Sequence, residues 1–231
     1  MKNLRTLCPT LAGTTLLTFS AAFPMAASAQ SELSPWTLRV GPAAINFSQA
    51  RSTLYVAGSA VPGADADFKN NTTLAFELGY VLTPDWTARF AFGVPPTTQL
   101  SAAGTLRQDV PPLTGRLGDV KYGPAVLSMT YALADWGGLR PYVGAGVNYT
   151  IVLSEKDGDV SGLKVRNAWG SVLQAGADYR LDEHWSLFVD VRKIFVKIHA
   201  DGSIPAFGGP PAHADTRLDP LIVHMGVGYR F

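Results

Sequence analysis

Apolar and polar residues alternate one by one over eight stretches of the chain, the pattern of a β-strand with one apolar and one polar face. In the last stretch, every second residue from Leu221 to Phe231 is apolar, while His224 and Arg230 take the other face. The predicted strands span 36–47, 71–82, 86–94, 120–133, 140–153, 168–181, 185–199 and 218–231. Within the seventh, the apolar parity changes after Val191, which predicts a β-bulge near Arg192 and Lys193.

The connections between these strands alternate between short and long. The short ones are 83–85, 134–139 and 182–184, and the long ones, rich in Gly, Pro, Asp and Ala, are 48–70, 95–119, 154–167 and 200–217. In an up-and-down antiparallel sheet every second connection lies at the same end, so the short turns share one rim and the long loops the other. This asymmetry is typical of bacterial outer-membrane barrels. We therefore predict an all-β fold, an eight-stranded antiparallel up-and-down transmembrane β-barrel.

Aromatic residues gather at the predicted short-turn rim, where rings of this kind settle at a membrane interface. The predicted interface belt is Trp36, Trp86, Trp136, Trp185, Tyr229 and Phe231. The face opposite the apolar one carries charges among many glycines: Arg39, Glu77, Arg89, Asp178, Arg180, Asp190, Arg192 and Arg230. Charges and small residues suit the tight lumen of an eight-stranded barrel, so we expect the apolar face to point to lipid. A soluble ligand-binding barrel would have the opposite polarity.

Composition narrows the class of protein further. The 231 residues are 47% hydrophobic, too apolar for a disordered chain, and the net charge of +1 gives no basic surplus for binding nucleic acid. Residues 1–29 are predicted to be a secretory signal peptide, with Lys2 and Arg5 before an apolar stretch and small residues at 27–29. Cys8, the single cysteine, would leave with it. Residues 30–231 would then form the barrel.

Two motifs closely resemble the OmpW family of outer-membrane proteins: residues 140–150, RPYVGAGVNYT, and the terminal segment 218–231. Residues 119–133 resemble it less sharply. The resemblance implies a barrel in the outer membrane of a Gram-negative bacterium, with a narrow, largely apolar channel for uptake of small hydrophobic molecules. Alkane-import proteins such as AlkL are similar. It also implies that the barrel-assembly machinery reads the C-terminal strand ending in Phe231.

The floor of the channel departs from this family pattern. Where family members place bulky apolar side chains, the matching inward positions are Ala91 and Arg192. Asp190 and Glu77 are potential partners of Arg192, so a charged plug could replace an apolar one. Together with Arg89, these residues are predicted either to line or gate the channel or to form structural salt bridges.

Moving an apolar solute through a charged lower lumen would cost free energy, because the charged groups would lose their partners or water. This suggests that the solute leaves sideways through the wall. Pro42, Pro124 and Pro220 are the candidates for such an exit, because each removes a backbone donor from the ladder between strands. The alternative is that each proline marks a local bulge or a strand end.

Signals for catalysis are weak. His184 and Ser186 lie two residues apart, as a base and a nucleophile on one strand face would, and suggest a less favoured lipid-modifying enzyme. The four histidines have no metal-ligand spacing, and we expect neither a cofactor nor a metal. A structural or receptor barrel without transport remains the main alternative function.

Overall fold

The computed structural model describes residues 33–107 and 114–231, so the predicted signal peptide lies outside the described residues. The described part contains fourteen strands and two short 3₁₀ helices, Thr105–Arg107 and Pro205–Phe207. The strands are β1 (Trp36–Asn46), β2 (Arg51–Val56), β3 (Ser59–Ala60), β4 (Ala64–Phe68), β5 (Asn71–Val81), β6 (Trp86–Gly93), β7 (Thr97–Gly104), β8 (Arg116–Ala132), β9 (Leu139–Asp157), β10 (Ser161–Val165), β11 (Ala168–Arg180), β12 (Trp185–Ser203), β13 (Pro211–Arg217) and β14 (Leu221–Arg230).

Eight of these strands form a closed antiparallel barrel, as predicted. Around the wall their order is β1, β5, β6, β8, β9, β11, β12 and β14, and β14 pairs with β1 to close it. Each wall strand pairs with the wall strand that follows it in the sequence, whether the connection between them is a short turn or a longer segment at the opposite rim. Every wall strand thus has both edges paired, as a membrane-spanning sheet requires.

The long connections lie at one rim, as expected, and they contain strands of their own, which the sequence pattern did not predict. They contain β2, β3, β4, β7, β10 and β13, which pair with one another and with the extended ends of β8 and β12. Buried Ala64, Leu100 and Leu163 give these segments an apolar inner side. The wall therefore continues beyond the lipid-facing band because these segments also bury side chains and pair their backbones.

The predicted bulge near Arg192 and Lys193 is also wrong. The pairing of β11 with β12 runs from Gly170 opposite Val196 to the rim without a register shift. Arg192 and Ile194 are both buried, so the inner face keeps its parity while its chemistry changes from charged to aliphatic. The change in the apolar pattern after Val191 thus reflects the side chains that fill the lumen, which change from charged to aliphatic. The backbone of β12 is regular at this point.

The outer face of the wall is apolar, and Leu173, for example, is 56% exposed. At the short-turn rim, aromatic side chains pair across neighbouring strands. These pairs are Trp36 with Tyr80, Trp86 with Tyr131, and Trp185 with Tyr229, with ring centroids 4.9, 5.0 and 4.9 Å apart. Trp136 and Phe231 are exposed at the same rim. No helix in the described ranges is long and apolar enough to cross a membrane.

Candidate functional site

Six ionisable side chains fill the lower lumen and form what we call the floor. Its members are Arg39 on β1, Glu77 on β5, Arg89 on β6, Asp178 on β11, and Asp190 and Arg192 on β12. Three are basic and three are acidic, so the floor is balanced when all are ionised. All but Asp178 are buried, because the inward parity of five strands brings them together inside a narrow cylinder.

Glu77 is the centre of the floor and is only 1% exposed. Its Oε1 accepts hydrogen bonds from Arg39 Nη1 at 3.0 Å and Arg89 Nη1 at 2.9 Å. Its second carboxylate oxygen pairs with Arg192, which reaches across from β12. Arg39 lies directly opposite Glu77 in the register of β1 and β5, whereas Arg192 belongs to β12, which does not pair with β5 in the sheet. The carboxylate therefore ties together wall strands on different sides of the lumen.

The two aspartates complete the balance with the help of Tyr142. Asp178 pairs with Arg39, while Asp190 Oδ1 lies 2.6 Å from Arg192 Nε. The Tyr142 hydroxyl donates to Asp190 Oδ2 at 2.7 Å and accepts from Arg39 Nη1 at 3.0 Å. Tyr142 is not among the residues predicted from the sequence, although its side chain takes the inward parity of β9. Its position shows that the floor is a connected network and not a set of isolated pairs.

Above the floor the lumen is apolar. A cavity of about 50 Å³, room for only a few water-sized spheres, lies there. Its lining is mainly aliphatic and includes Ile45, Ile194, Val196, Ile198 and Ile222. Below the floor, a second cavity of about 260 Å³ opens at the short-turn rim and is lined by Arg39, Arg89 and other polar groups.

The two cavities have no lining residue in common within the described ranges. The floor therefore separates an apolar upper chamber from a polar lower mouth. Ala91 is buried beside Glu77 and contributes little bulk to this separation. The barrier that the described residues form is centred on ion pairs, with the buried rings of Tyr142 and Phe188 packed against the Arg39 guanidinium.

The three candidate prolines occupy different settings. Pro124 and Pro220 line the upper cavity, whereas Pro42 is exposed on the outer face. At Pro42 the register of β1 with β14 is the same above and below the proline. At Pro220 the seam is held by a hydrogen bond from Ile194 N to the proline carbonyl at 3.1 Å and by another from Val196 N to Asp219 Oδ1 at 3.1 Å.

The wall is most interrupted beside Pro124. The β6–β8 ladder stops at Ala91 opposite Val126, and the β7–β8 ladder starts only at Thr97 opposite Lys121. No ladder pair joins residues 92–96 to residues 122–125, although a backbone hydrogen bond from Tyr122 N to Pro96 O at 3.1 Å crosses this part of the wall. The residues 95 and 96 that face this gap are also prolines and have no N–H to donate. We call this gap the β6–β8 seam.

The suggested catalytic pair is not assembled. His184 Nδ1 lies 2.8 Å from the carbonyl oxygen of Arg230, and no hydrogen bond joins His184 to Ser186 among the described residues. Both residues line the lower mouth.

Comparisons with known proteins agree with this architecture. The sequence model of the OmpW family matches residues 35–231. PahQ of Pseudomonas aeruginosa, named as a dibenzothiophene metabolism operon protein, is 36% identical over 209 residues, which cover 90% of this chain and 94% of PahQ. The outer membrane protein AlkL of Ectopseudomonas oleovorans is 32% identical, with 82% and 81% covered. The crystal structure of the outer membrane protein OprG from Pseudomonas aeruginosa superposes with a TM-score of 0.77 at 26% identity, covering 86% of this chain and 97% of OprG.

Proposed function

The chain belongs to the OmpW family of outer-membrane barrel proteins, and on this premise we propose that it takes up small hydrophobic molecules and releases them sideways into the membrane. The relative PahQ is named for the metabolism of dibenzothiophene, an apolar molecule, which supports solutes of this class. The short-turn rim faces the periplasm and the long-loop rim faces the outside, as in other barrels of this kind.

The observation that carries the proposal is the change in chemistry along the lumen. An apolar solute entering from outside meets aliphatic side chains down to Ile194 and Ile222, and then meets the floor. Passing it would require Glu77 and its arginines to separate in a low-dielectric interior, which costs several kcal/mol for each uncompensated ion. The lining of the upper chamber thus suits such a molecule, which widens the cavity of about 50 Å³ as it enters, and the floor denies it the axial route.

The β6–β8 seam is the exit that the geometry favours. Pro124 lines the upper cavity, and on the side of β6 and β7 the wall beside it has no ladder pairs and is crossed by the Tyr122 N–Pro96 O hydrogen bond, so opening the wall there breaks few hydrogen bonds. Gly123, on the outer face, has space beside it, since a Cβ added to it would lie 3.6 Å from Pro95 Cγ. A large side chain at position 123 would therefore cover the seam from the lipid side.

Uptake of a fluorescent hydrophobic probe into cells or proteoliposomes tests both parts of the proposal. Ile194→Asp places a carboxylate in the upper cavity and should abolish uptake. Gly123→Trp should slow uptake, whereas the matched control Ala145→Trp, on the outer face of β9, should not. Unchanged uptake in Gly123→Trp with loss in Ile194→Asp would refute the lateral exit alone. Unchanged uptake in Ile194→Asp would refute transport and favour a structural or receptor barrel.

We further propose how the barrel is anchored in the membrane and how it is assembled there. The exposed aromatic residues of the short-turn rim would anchor the barrel at the periplasmic membrane interface. The barrel-assembly machinery would read β14 and Phe231. Trp86→Ala tests the anchoring, and deletion of Phe231 tests assembly, both measured as the amount of folded barrel in the outer membrane.

A further inference from the structure

Two histidines and two aspartates form a square on the outer surface of β12 and β13, beyond the lipid-facing band. In the register of these strands, His199 lies opposite Asp215, and Asp201 lies opposite His213. Residues two apart on a strand share a face, and so do residues directly opposite each other. All four side chains therefore project from the same outer surface, although the two strands are separated in the sequence by the Pro205–Phe207 helix and its flanking residues.

Three of the four side chains direct metal-binding atoms toward one point. Asp215 Oδ1 lies 2.9 Å from His213 Nε2 and also pairs with His199 Nδ1. One ligand atom from each of these three residues lies within 4.8 Å of the others. The two imidazole rings are nearly parallel, with centroids 6.1 Å apart and an interplanar angle of 13°. Small side-chain rotations would let one ion contact all three.

The fourth residue supports this arrangement from behind. Asp201 Oδ1 accepts a hydrogen bond from His213 Nδ1 at 2.8 Å, and when an ion replaces the proton between His213 Nε2 and Asp215, Nδ1 keeps its proton and the Nε2 lone pair faces the ion. Arg166 Nη2 donates to the other Asp201 oxygen at 3.0 Å and fixes that carboxylate. A carboxylate that orients a histidine through its second ring nitrogen recurs around metal-bound histidines.

We propose that this surface binds a divalent transition-metal ion of the zinc class, with His199, His213 and Asp215 as ligands and Asp201 as a positioning residue. Two imidazoles and one carboxylate suit Zn²⁺, Cu²⁺ and Ni²⁺ better than Ca²⁺ or Mg²⁺, which prefer oxygen ligands alone. The three ligand side chains are 41–52% exposed, so the ion arrives directly from the medium and keeps a position for water.

The ion would clamp β12 to β13 outside the membrane. The inner face of the same pair carries Ile198, which lines the upper cavity. Occupancy of the surface would therefore stiffen the wall around the mouth of the apolar chamber. The metal site itself does not depend on the proposed uptake of hydrophobic molecules, and the measurement below does not require transport.

Titration with Zn²⁺ tests the proposal on the purified barrel, folded in detergent micelles, without an affinity tag and in a buffer that does not bind zinc. Calorimetry should show one Zn²⁺ per chain for the wild type and at least a tenfold loss of affinity for the double variant His199→Ala/His213→Ala. Asp201→Asn should weaken binding by about 10–100-fold. The matched control His184→Ala removes an exposed histidine at the opposite rim and should bind like the wild type.

Co²⁺ gives a readout that a merely structural role would not change. Its visible absorption should report coordination in the wild type, should change in Asp201→Asn and should vanish in the double variant, while the unheated folded band on a gel stays the same in all of them. The proposal is overturned if the wild type binds no Zn²⁺, if the double variant binds with wild-type affinity, or if His184→Ala loses as much as the double variant.

Discussion

Replacing Glu77 by glutamine tests whether charge balance holds the floor together. The change keeps the shape of the side chain but removes one negative charge from a set of three acids and three arginines. Arg39, Arg89 and Arg192 would then share only Asp178 and Asp190. The remaining positive charge is poorly hydrated, because all three arginines are buried and only Arg39 and Arg89 border the lower mouth.

The magnitude follows from the burial of the groups. Removing one partner of a buried ion pair typically lowers the free energy of unfolding by about 3–5 kcal/mol. Glu77 is only 1% exposed, so we expect a loss in this range for Glu77→Gln. Removing an arginine as well restores the balance. We therefore expect Glu77→Gln/Arg192→Met to be less destabilised than the sum of its single variants, with a coupling of about 1–3 kcal/mol.

The assay is reversible urea unfolding of the barrel in micelles, followed by the fluorescence of the rim tryptophans. The free energy of unfolding is obtained by linear extrapolation to zero denaturant. Glu183→Gln, the same substitution in an exposed turn, is the matched control and should change stability by no more than about 0.5 kcal/mol. A loss below about 1 kcal/mol for Glu77→Gln, or a double variant that equals the sum of the singles, would refute the argument.

Three further outcomes are expected. Tyr142→Phe removes a hydroxyl that donates at 2.7 Å to a buried carboxylate, and urea unfolding should show a loss of about 1–3 kcal/mol. Gly146→Ala should lower the unfolding midpoint because the new Cβ would lie 2.6 Å from a backbone carbon of the next strand, whereas Gly123→Ala, with its nearest neighbour at 3.6 Å, should not. A hydrogen bond from the backbone N–H of Trp185 holds the pKa of Asp182 below its usual range. The turn is therefore most stable above the ordinary aspartate pKa and loosens as pH falls through the lowered value, and amide exchange should show that Asp182→Asn abolishes this acid dependence.

Alternation alone predicted the wall closely. The predicted strand 168–181 is observed as Ala168–Arg180, and the other wall strands differ mainly at their outer ends. Every second side chain of a membrane-spanning strand must be apolar where it meets lipid, and each wall strand therefore shows the alternation in its own sequence. Outside the lipid this requirement ends, and β2, β4, β7 and β13 show no comparable pattern.

Two features of the interior could not be derived from the pattern. Parity cannot distinguish a strand that slips by one residue from a lumen that turns from charged to aliphatic, and the segment around Arg192 and Ile194 was therefore misinterpreted. Partners across the lumen are also hidden. Arg39 and Glu77 face each other in a ladder, but the pairing of Glu77 with Arg192 depends on the width of the barrel. Likewise, only the register of β12 with β13 brings His199 and His213 together.

The distribution of the floor residues along the chain has a consequence for how the protein is made. The N-terminal half contributes Arg39, Glu77 and Arg89 and so carries one excess positive charge, while Asp178, Asp190 and Arg192 of the C-terminal half carry one excess negative charge. The charges of the two halves cancel only when the barrel closes and brings the halves together. We therefore expect the floor to become electrically neutral only as the cylinder closes during biogenesis, because an uncompensated charge is costly inside the hydrocarbon of the membrane.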